Sequence, residues 1–195
     1  MLAAVILSGG ASSRMGSPKA LLAYQGRPFL EHLLEAAAHR QIGARRVVLG
    51  AHAEPIAKAI NLKPDEIVIN EDWEKGQLSS IQAALRTLPP DTDGILLCLI
   101  DHPLISADLV HELIEQFYKS KKLIVLPVYE ERRGHPLIFS SALYDELLRA
   151  PLETGARAVV WAHPADIHEV RTNEEGCVLN LNDPETMNKA LGGGD

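Results

Sequence analysis

Little in this chain supports a covalent or cysteine-bound framework. Its 195 residues include only two cysteines. Cys98 sits inside an apolar run and Cys177 beside a glycine, so neither a disulfide set nor a cysteine-based zinc site is supported, and both read as packing residues in a reducing compartment. No apolar run approaches the roughly 18 residues needed to cross a bilayer, and Met1-Leu2 leads straight into a strand-like run without a basic leader. A soluble, cytoplasmic protein with no membrane partner is expected. Dense Lys/Arg runs are missing too: 19 basic against 26 acidic side chains give a formal net charge of −7. Nucleic acid is therefore not an expected partner, because phosphate-backbone binding needs a basic face. Any anionic ligand has to be met by local cations. Internal repeats are absent, and the GGGD tail at 192–195 is expected to be disordered.

What is present is an α/β rhythm. With 46% hydrophobic and 23% charged residues, the chain can bury a core as one domain, expected over 1–191. Short apolar runs at Ala3–Leu7, Arg46–Leu49, Glu66–Ile69, Ile95–Ile100 and Leu123–Pro127 read as strands. Helical patterns lie between and after them, at Pro28–Gln41, Glu54–Ile60, Leu78–Leu88 and Ser106–Tyr118. Such alternation predicts a mainly parallel sheet covered on both faces, with the run GILLCLI at its centre. After Pro127 a charged excursion around Gly134 leads to a short strand. A helix capped by Ser140 or Ser141 follows, then a helical segment at Thr154–Trp161, a strand at Ile167–Arg171, and a last helix from Asp183 that stops at Gly192.

The stretch VILSGGASSRMGSPKALL runs from the first strand into a loop holding Gly9, Gly10, Gly16, Arg14 and Lys19. Open α/β sheets bind ligands beyond the carboxyl ends of their strands, where this loop should lie. Successive glycines let backbone N–H groups converge on an anion, and a nucleotide triphosphate suits such a nest. Neither common phosphate-loop pattern is met: five residues rather than four separate Gly10 from Gly16, and Ala20 stands where a hydroxyl would be needed. The same composition would also serve a plain surface loop. In CLIDHPLIS, Asp101 closes the most apolar strand and His102-Pro103 turns the chain out of the sheet; a turn cap and a metal ligand are both open to it. EKGQLSSIQAAL sets Gly76, Gln77, Ser79 and Ser80 before a helix, where N–H groups and hydroxyls can meet a base or ribose, or Ser79 can simply cap.

LSGGASSRMGSPKALL resembles the signature of the MobA/MocA-like nucleotidyltransferases, close to L-[AS]-[AG]-G-x-S-x-R-M-G-x-x-K, through Gly10, Ser12 or Ser13, Arg14, Met15, Gly16 and Lys19. The resemblance implies a three-layer α/β/α, Rossmann-like fold with a mixed, mainly parallel sheet, of the nucleotide-diphospho-sugar transferase (GT-A-like) kind. It also implies a nucleotide pocket of Leu7, Ser8, Gly9, Gly10, Ala11, Ser12, Ser13, Arg14 and Lys19, completed by Asn70, Gly76, Gln77, Ser79, Ser80 and Asp101. Asp101 would hold Mg²⁺, which prefers carboxylate and phosphate oxygens and keeps several waters. NLNDPETM is similar to the family's N-x-N-T-P-E-D segment, with Asn182 at the place of a second metal ligand. Here Asp183 replaces the usual Thr and Thr186 the usual Asp, so Asp183 is a neighbouring alternative.

RRGHPLIF and LETGARAVV resemble the molybdenum cofactor cytidylyltransferase branch, so Gly134, His135 and Pro136 would face a molybdopterin-type acceptor. Ser8-Gly9-Gly10 matches neither the AGG common in the guanylyltransferase branch nor the AAG of the cytidylyltransferase branch. The implied activity is Mg²⁺-dependent transfer of a nucleoside monophosphate from CTP, or alternatively GTP, to a phosphorylated acceptor, with release of pyrophosphate. Lys19, Arg14 and Asp101 would be its catalytic residues. A sugar- or polyol-phosphate acceptor and a non-catalytic nucleotide-binding module are the other readings, and a molybdoenzyme or its chaperone is the implied protein partner. His163 and His168 lack a carboxylate at metal-site spacing and read as surface residues.

Overall fold

The computed structural model describes residues 1–10 and 17–190. Strand β1 (Leu2–Ser8) is buried along its whole length, as a strand with apolar side chains on both faces must be. A hairpin follows, β2 (Ala23–Tyr24) with β3 (Arg27–Pro28), and then α1 (Phe29–Ala36), β4 (Ile42–Leu49), α2 (Ala53–Ile60), β5 (Ile67–Ile69), α3 (Gln77–Leu85), β6 (Gly94–Leu99) and α4 (Ala107–Ser120). The second half holds β7 (Ile124–Tyr129), β8 (Arg132–Arg133), β9 (Leu137–Ser140), α5 (Tyr144–Arg149), α6 (Arg157–Ala162), β10 (Ile167–Arg171) and α7 (Pro184–Ala190).

The main sheet runs β10-β7-β9-β6-β1-β4-β5, with β8 paired to β7. Neighbours along this path are parallel except β9, which lies antiparallel between β6 and β7. Strand β6, all six of whose residues are buried, is the middle of the path, as its apolar run predicts. Side chains of β1 alternate between two cores: Leu2, Ala4 and Ile6 join Leu33 of α1 and Leu113 of α4. Ala3, Val5 and Leu7 join Ile81 of α3, Leu147 of α5 and Val159 of α6. The sheet is thus sandwiched between two helical layers. No helix among the described residues is long and apolar enough to cross a membrane.

Some boundaries differ from expectation. Helix α1 stops at Ala36 rather than Gln41, because the chain from Ile42 is taken up by β4 pairing with β1. The excursion after Pro127 is a hairpin of β7 and β8 whose Glu130 and Glu131 take φ of 44° and 62°. Ser140, not Ser141, is the cap: its Oγ accepts from Ala142 N at 3.3 Å ahead of a short 3-10 turn. Helix α6 begins only at Arg157. The expected stop at Gly192 and the tail beyond it lie outside the described residues.

Candidate active site

Strands β1 and β6 lie side by side with Leu7 opposite Leu99, so both open onto one crevice at their carboxyl ends, where α/β sheets bind ligands. Ile100 N donates to Leu7 O at 3.1 Å and His102 N to Leu99 O at 3.0 Å, a tight turn that leaves Asp101 at the strand mouth. Close approach also shapes the other wall. Ala51 N donates to Gly9 O at 3.2 Å, and a Cβ on Gly50 would meet that same oxygen at 2.4 Å, so only glycine lets the end of β4 reach the loop.

A cavity of about 550 Å³ results, lined by Leu7, Ser8, Gly9, Gly10, Lys19, Gly76, Gln77, Ser80, Asp101 and Asn182 among the expected residues. Asn70 and Ser79 stand behind it. Asn70 Nδ2 donates to Ser79 Oγ and Ser80 Oγ, both at 2.9 Å, and Ser79 Oγ donates to Gly76 O at 2.7 Å, so this pair holds the Gly76–Ser80 corner in place. Ala11, Ser12, Ser13 and Arg14 lie outside the described residues. Trp73, Glu74, Leu99 and Ile100 also line the cavity and escaped the sequence reading; for Trp73 the signal was an aromatic residue in an otherwise polar run just before the Gly76-Gln77 corner.

The chain after Cys177 straps across the site. Leu181 N donates to Asp101 O at 2.8 Å and Asn180 Nδ2 to Asp101 Oδ2 at 2.9 Å, fixing the backbone and the carboxylate together. Asn180 was not singled out from the sequence. Its Oδ1 is buried without a hydrogen-bond partner among the described residues. Asn182 Oδ1 accepts from Lys19 Nζ, so this side chain holds the lysine. Asp183 is spent on the start of α7, where Thr186 N donates to its Oδ1 at 2.8 Å and Thr186 Oγ1 to its Oδ2 at 2.9 Å. Asp183 does not line the cavity. Among the described residues that do, Lys19 is the one cation, facing Glu74 and Asp101.

A second cavity, also about 550 Å³, shares Gly76 and Gln77 with the first and is lined by Gly134 and His135. Its floor is apolar, with Leu97, Leu126 and Phe139, and its mouth carries Arg133, Arg157 and Trp161. Pro136, joined to His135 by a cis peptide bond, is buried and outside the lining. The rings of His135 and His102 lie 5.1 Å apart, and neither Nδ1 has a partner among the described residues. Burial pushes the His135 imidazole down to about 4, helped by the neighbouring His102, and burial lowers His102 as well. Both rings are neutral at ordinary pH. His163 bonds Glu146 at 2.9 Å and lines neither cavity.

Known proteins resemble this chain in sequence and in fold. The chain is 30% identical over 199 aligned positions to a nicotine blue oxidoreductase of Paenarthrobacter nicotinovorans, covering 96% of this chain and 95% of that one. It is 28% identical over 194 positions to a probable molybdenum cofactor guanylyltransferase of Flavobacterium johnsoniae, with the same coverage. The fold superposes on that of Rv0371c from Mycobacterium tuberculosis with a TM-score of 0.83 and 27% identity over 98% of each chain; another structure of that protein is a manganese complex. The sequence model of the MobA-like NTP transferase domain matches residues 4–167, a span that takes in β1 from Ala4 onward, Lys19, Asp101 and the histidine of the second cavity. On this match the chain belongs to the MobA-like NTP transferase family and is an enzyme of the nucleotidyltransferase class.

Proposed function

We propose that this enzyme transfers a nucleoside monophosphate from CTP or GTP to the phosphate of a molybdopterin-type acceptor, with a divalent cation, Mg²⁺, as cofactor. One observation carries the reading: a charged cavity at the mouths of β1 and β6 adjoins a second cavity with an apolar floor across the Gly76–Gln77 wall. Two adjoining cavities of this kind support a nucleotide and a second substrate held side by side. The relatives named guanylyltransferases support GTP, and Gly134-His135-Pro136 supports CTP by resemblance, so the donor base is left to the assay.

The residues fit a divalent cation. Asp101 lines the cavity with one oxygen anchored by Asn180, and a carboxylate set beside a polyphosphate calls for a cation between them. Such a cation, when bound, neutralises phosphate oxygens and orients them for displacement. Asn182 can add an amide oxygen only by sharing it with Lys19. In the reaction an acceptor phosphate oxygen forms a bond to the α-phosphorus, the bond from that phosphorus to the bridging oxygen breaks, and pyrophosphate leaves with the electron pair. A phosphate monoester is already nucleophilic near neutral pH, so no strong general base is needed. Lys19 balances charge on the α-phosphate, the Gly9-Gly10 backbone and Ser80 position the nucleotide, and the strap through Asn180 keeps Asp101 oriented.

Pyrophosphate release is measured with CTP, GTP, ATP and UTP in Mg²⁺ and molybdopterin cofactor. Release with CTP or GTP, lost in Asp101→Ala, is expected. Because one relative is named an oxidoreductase, the assay carries NADH and NADPH controls. No release with any nucleotide overturns the reading, and nicotinamide oxidation in its place would replace it with hydride transfer.

A further inference from the structure

Trp161 is 63% exposed, yet it sits at the mouth of a cavity whose floor is apolar. An indole left in water costs hydrophobic free energy that a covering ligand recovers. Arg157, one turn earlier on α6, holds its guanidinium carbon 5.8 Å from the indole centroid, a cation–π arrangement that fixes the ring's orientation. Among the described residues Arg157 has no carboxylate partner, whereas Arg133, the other arginine of the lining, is paired with Glu169 at 2.7 Å. In a chain of net charge −7, an unspent guanidinium beside an open π-face is a selective feature.

The cavity therefore grades from an apolar bottom to a flat aromatic surface whose edge carries the donors of Arg133 and Arg157 beside the Glu153 carboxylate. A sugar or polyol chain would bring hydroxyls against Leu97, Leu126 and Phe139, which offer them no partner, so that Gln77, His135 and Thr154 of the lining are left to replace the lost water. A planar conjugated ring with a carbonyl or anionic edge meets both halves: its face covers the indole, and its edge accepts from the guanidinium. About 550 Å³ is ample for a fused ring system.

We infer that Trp161 and Arg157 are the specificity-determining pair for the acceptor, admitting substrates that carry a planar conjugated ring with an anionic or carbonyl edge and rejecting aliphatic phosphates. This rests on the reading of the second cavity as the acceptor site.

The chain has two tryptophans, and one lines each cavity, so each cavity has its own optical reporter. In the Trp73→Phe protein, pterin-6-carboxylate is expected to quench Trp161 emission saturably, and glycerol 3-phosphate to leave it unchanged. By calorimetry, Trp161→Ala is expected to weaken the pterin about tenfold or more, the scale of a lost stacking partner; Trp161→Phe retains most of the affinity. Arg157→Gln weakens the pterin carboxylate more than unsubstituted pterin. Nucleotide binding, read from Trp73 in the Trp161→Phe protein, stays as it was. Equal pterin affinity in Trp161→Ala, or equal binding of glycerol 3-phosphate, overturns the inference alone. So does a dimer that dissociates in Trp161→Ala on sedimentation, since the indole would then be covered by a second copy. Absence of nucleotide binding at the first cavity overturns the underlying reading of the site, and the inference with it.

Discussion

Lys19 and Asn182 meet across the first cavity, and the contact separates two roles that the sequence motif leaves merged. Lys19→Ala removes a positive charge from the developing pentacoordinate phosphate and is expected to lower kcat for pyrophosphate release by at least about a hundredfold, the scale of one lost transition-state donor. Asn182→Ala leaves that charge but removes one of the contacts that hold the side chain carrying it. A smaller loss of kcat is expected, with the Mg²⁺ dependence unchanged; a large rise in the Mg²⁺ requirement would instead make Asn182 a metal ligand. Gly134 offers a stability test at the same scale. A Cβ there would lie 2.5 Å from Cys177 O, so Gly134→Ala is expected to cost about 1–3 kcal/mol in urea unfolding, as overpacking does. The lysine was legible because its loop carries a specific signature. Asn180 was not, because its partner Asp101 is 79 positions away.

Helix starts were easier to read than helix ends. The helical pattern expected from Ser106 begins there with a cap, Ser106 Oγ accepting from Leu109 N at 3.0 Å, but the same hydroxyl donates to Glu174, joining the helix to the segment that leads into the strap. Ser106→Ala is expected to lower stability by about 1–2 kcal/mol, the upper range for a cap, read as a fall in Tm. The early end of α1 shows tertiary pairing winning over propensity. The run EAAAHRQ favours helix locally, yet Gln41 O accepts from Leu2 N at 2.9 Å and β4 then pairs with β1 from Ile42 through Leu49. The strap is the element with the most direct bearing on chemistry. Asn180→Ala unlocks the Asp101 carboxylate without touching the substrate, and is expected to raise the Mg²⁺ concentration needed for half-maximal pyrophosphate release by about 10–100-fold, as loss of an outer-shell partner does.

The whole molecule carries a pH dependence of stability. Burial lowers His135 from its ordinary 6.5 to about 4, and lowers His102 in the same direction. As pH falls through 6.5 the unfolded chain takes up protons on these rings that the folded chain refuses, in the case of His135 until about 4. Stability therefore falls over that window and levels off below it, by about 3 kcal/mol for His135 alone. Urea midpoints across that pH range are expected to follow this slope, and His135→Gln, neutral throughout, to flatten its share.

By itself the amino-acid sequence determined the alternation of strands and helices, the central place of β6, and the glycine loop and Asp101 at strand ends, because each is written in neighbouring residues and their periodicity. Only the tertiary structure decided that Asn182 holds Lys19, that Asn70 and Ser79 brace a corner rather than line the cavity, and that Trp161 stands over an apolar floor. The physical reason is reach. Each of these depends on which side chains meet across the folded sheet, and a polar group's role is set by the partner that satisfies it, which local sequence does not record.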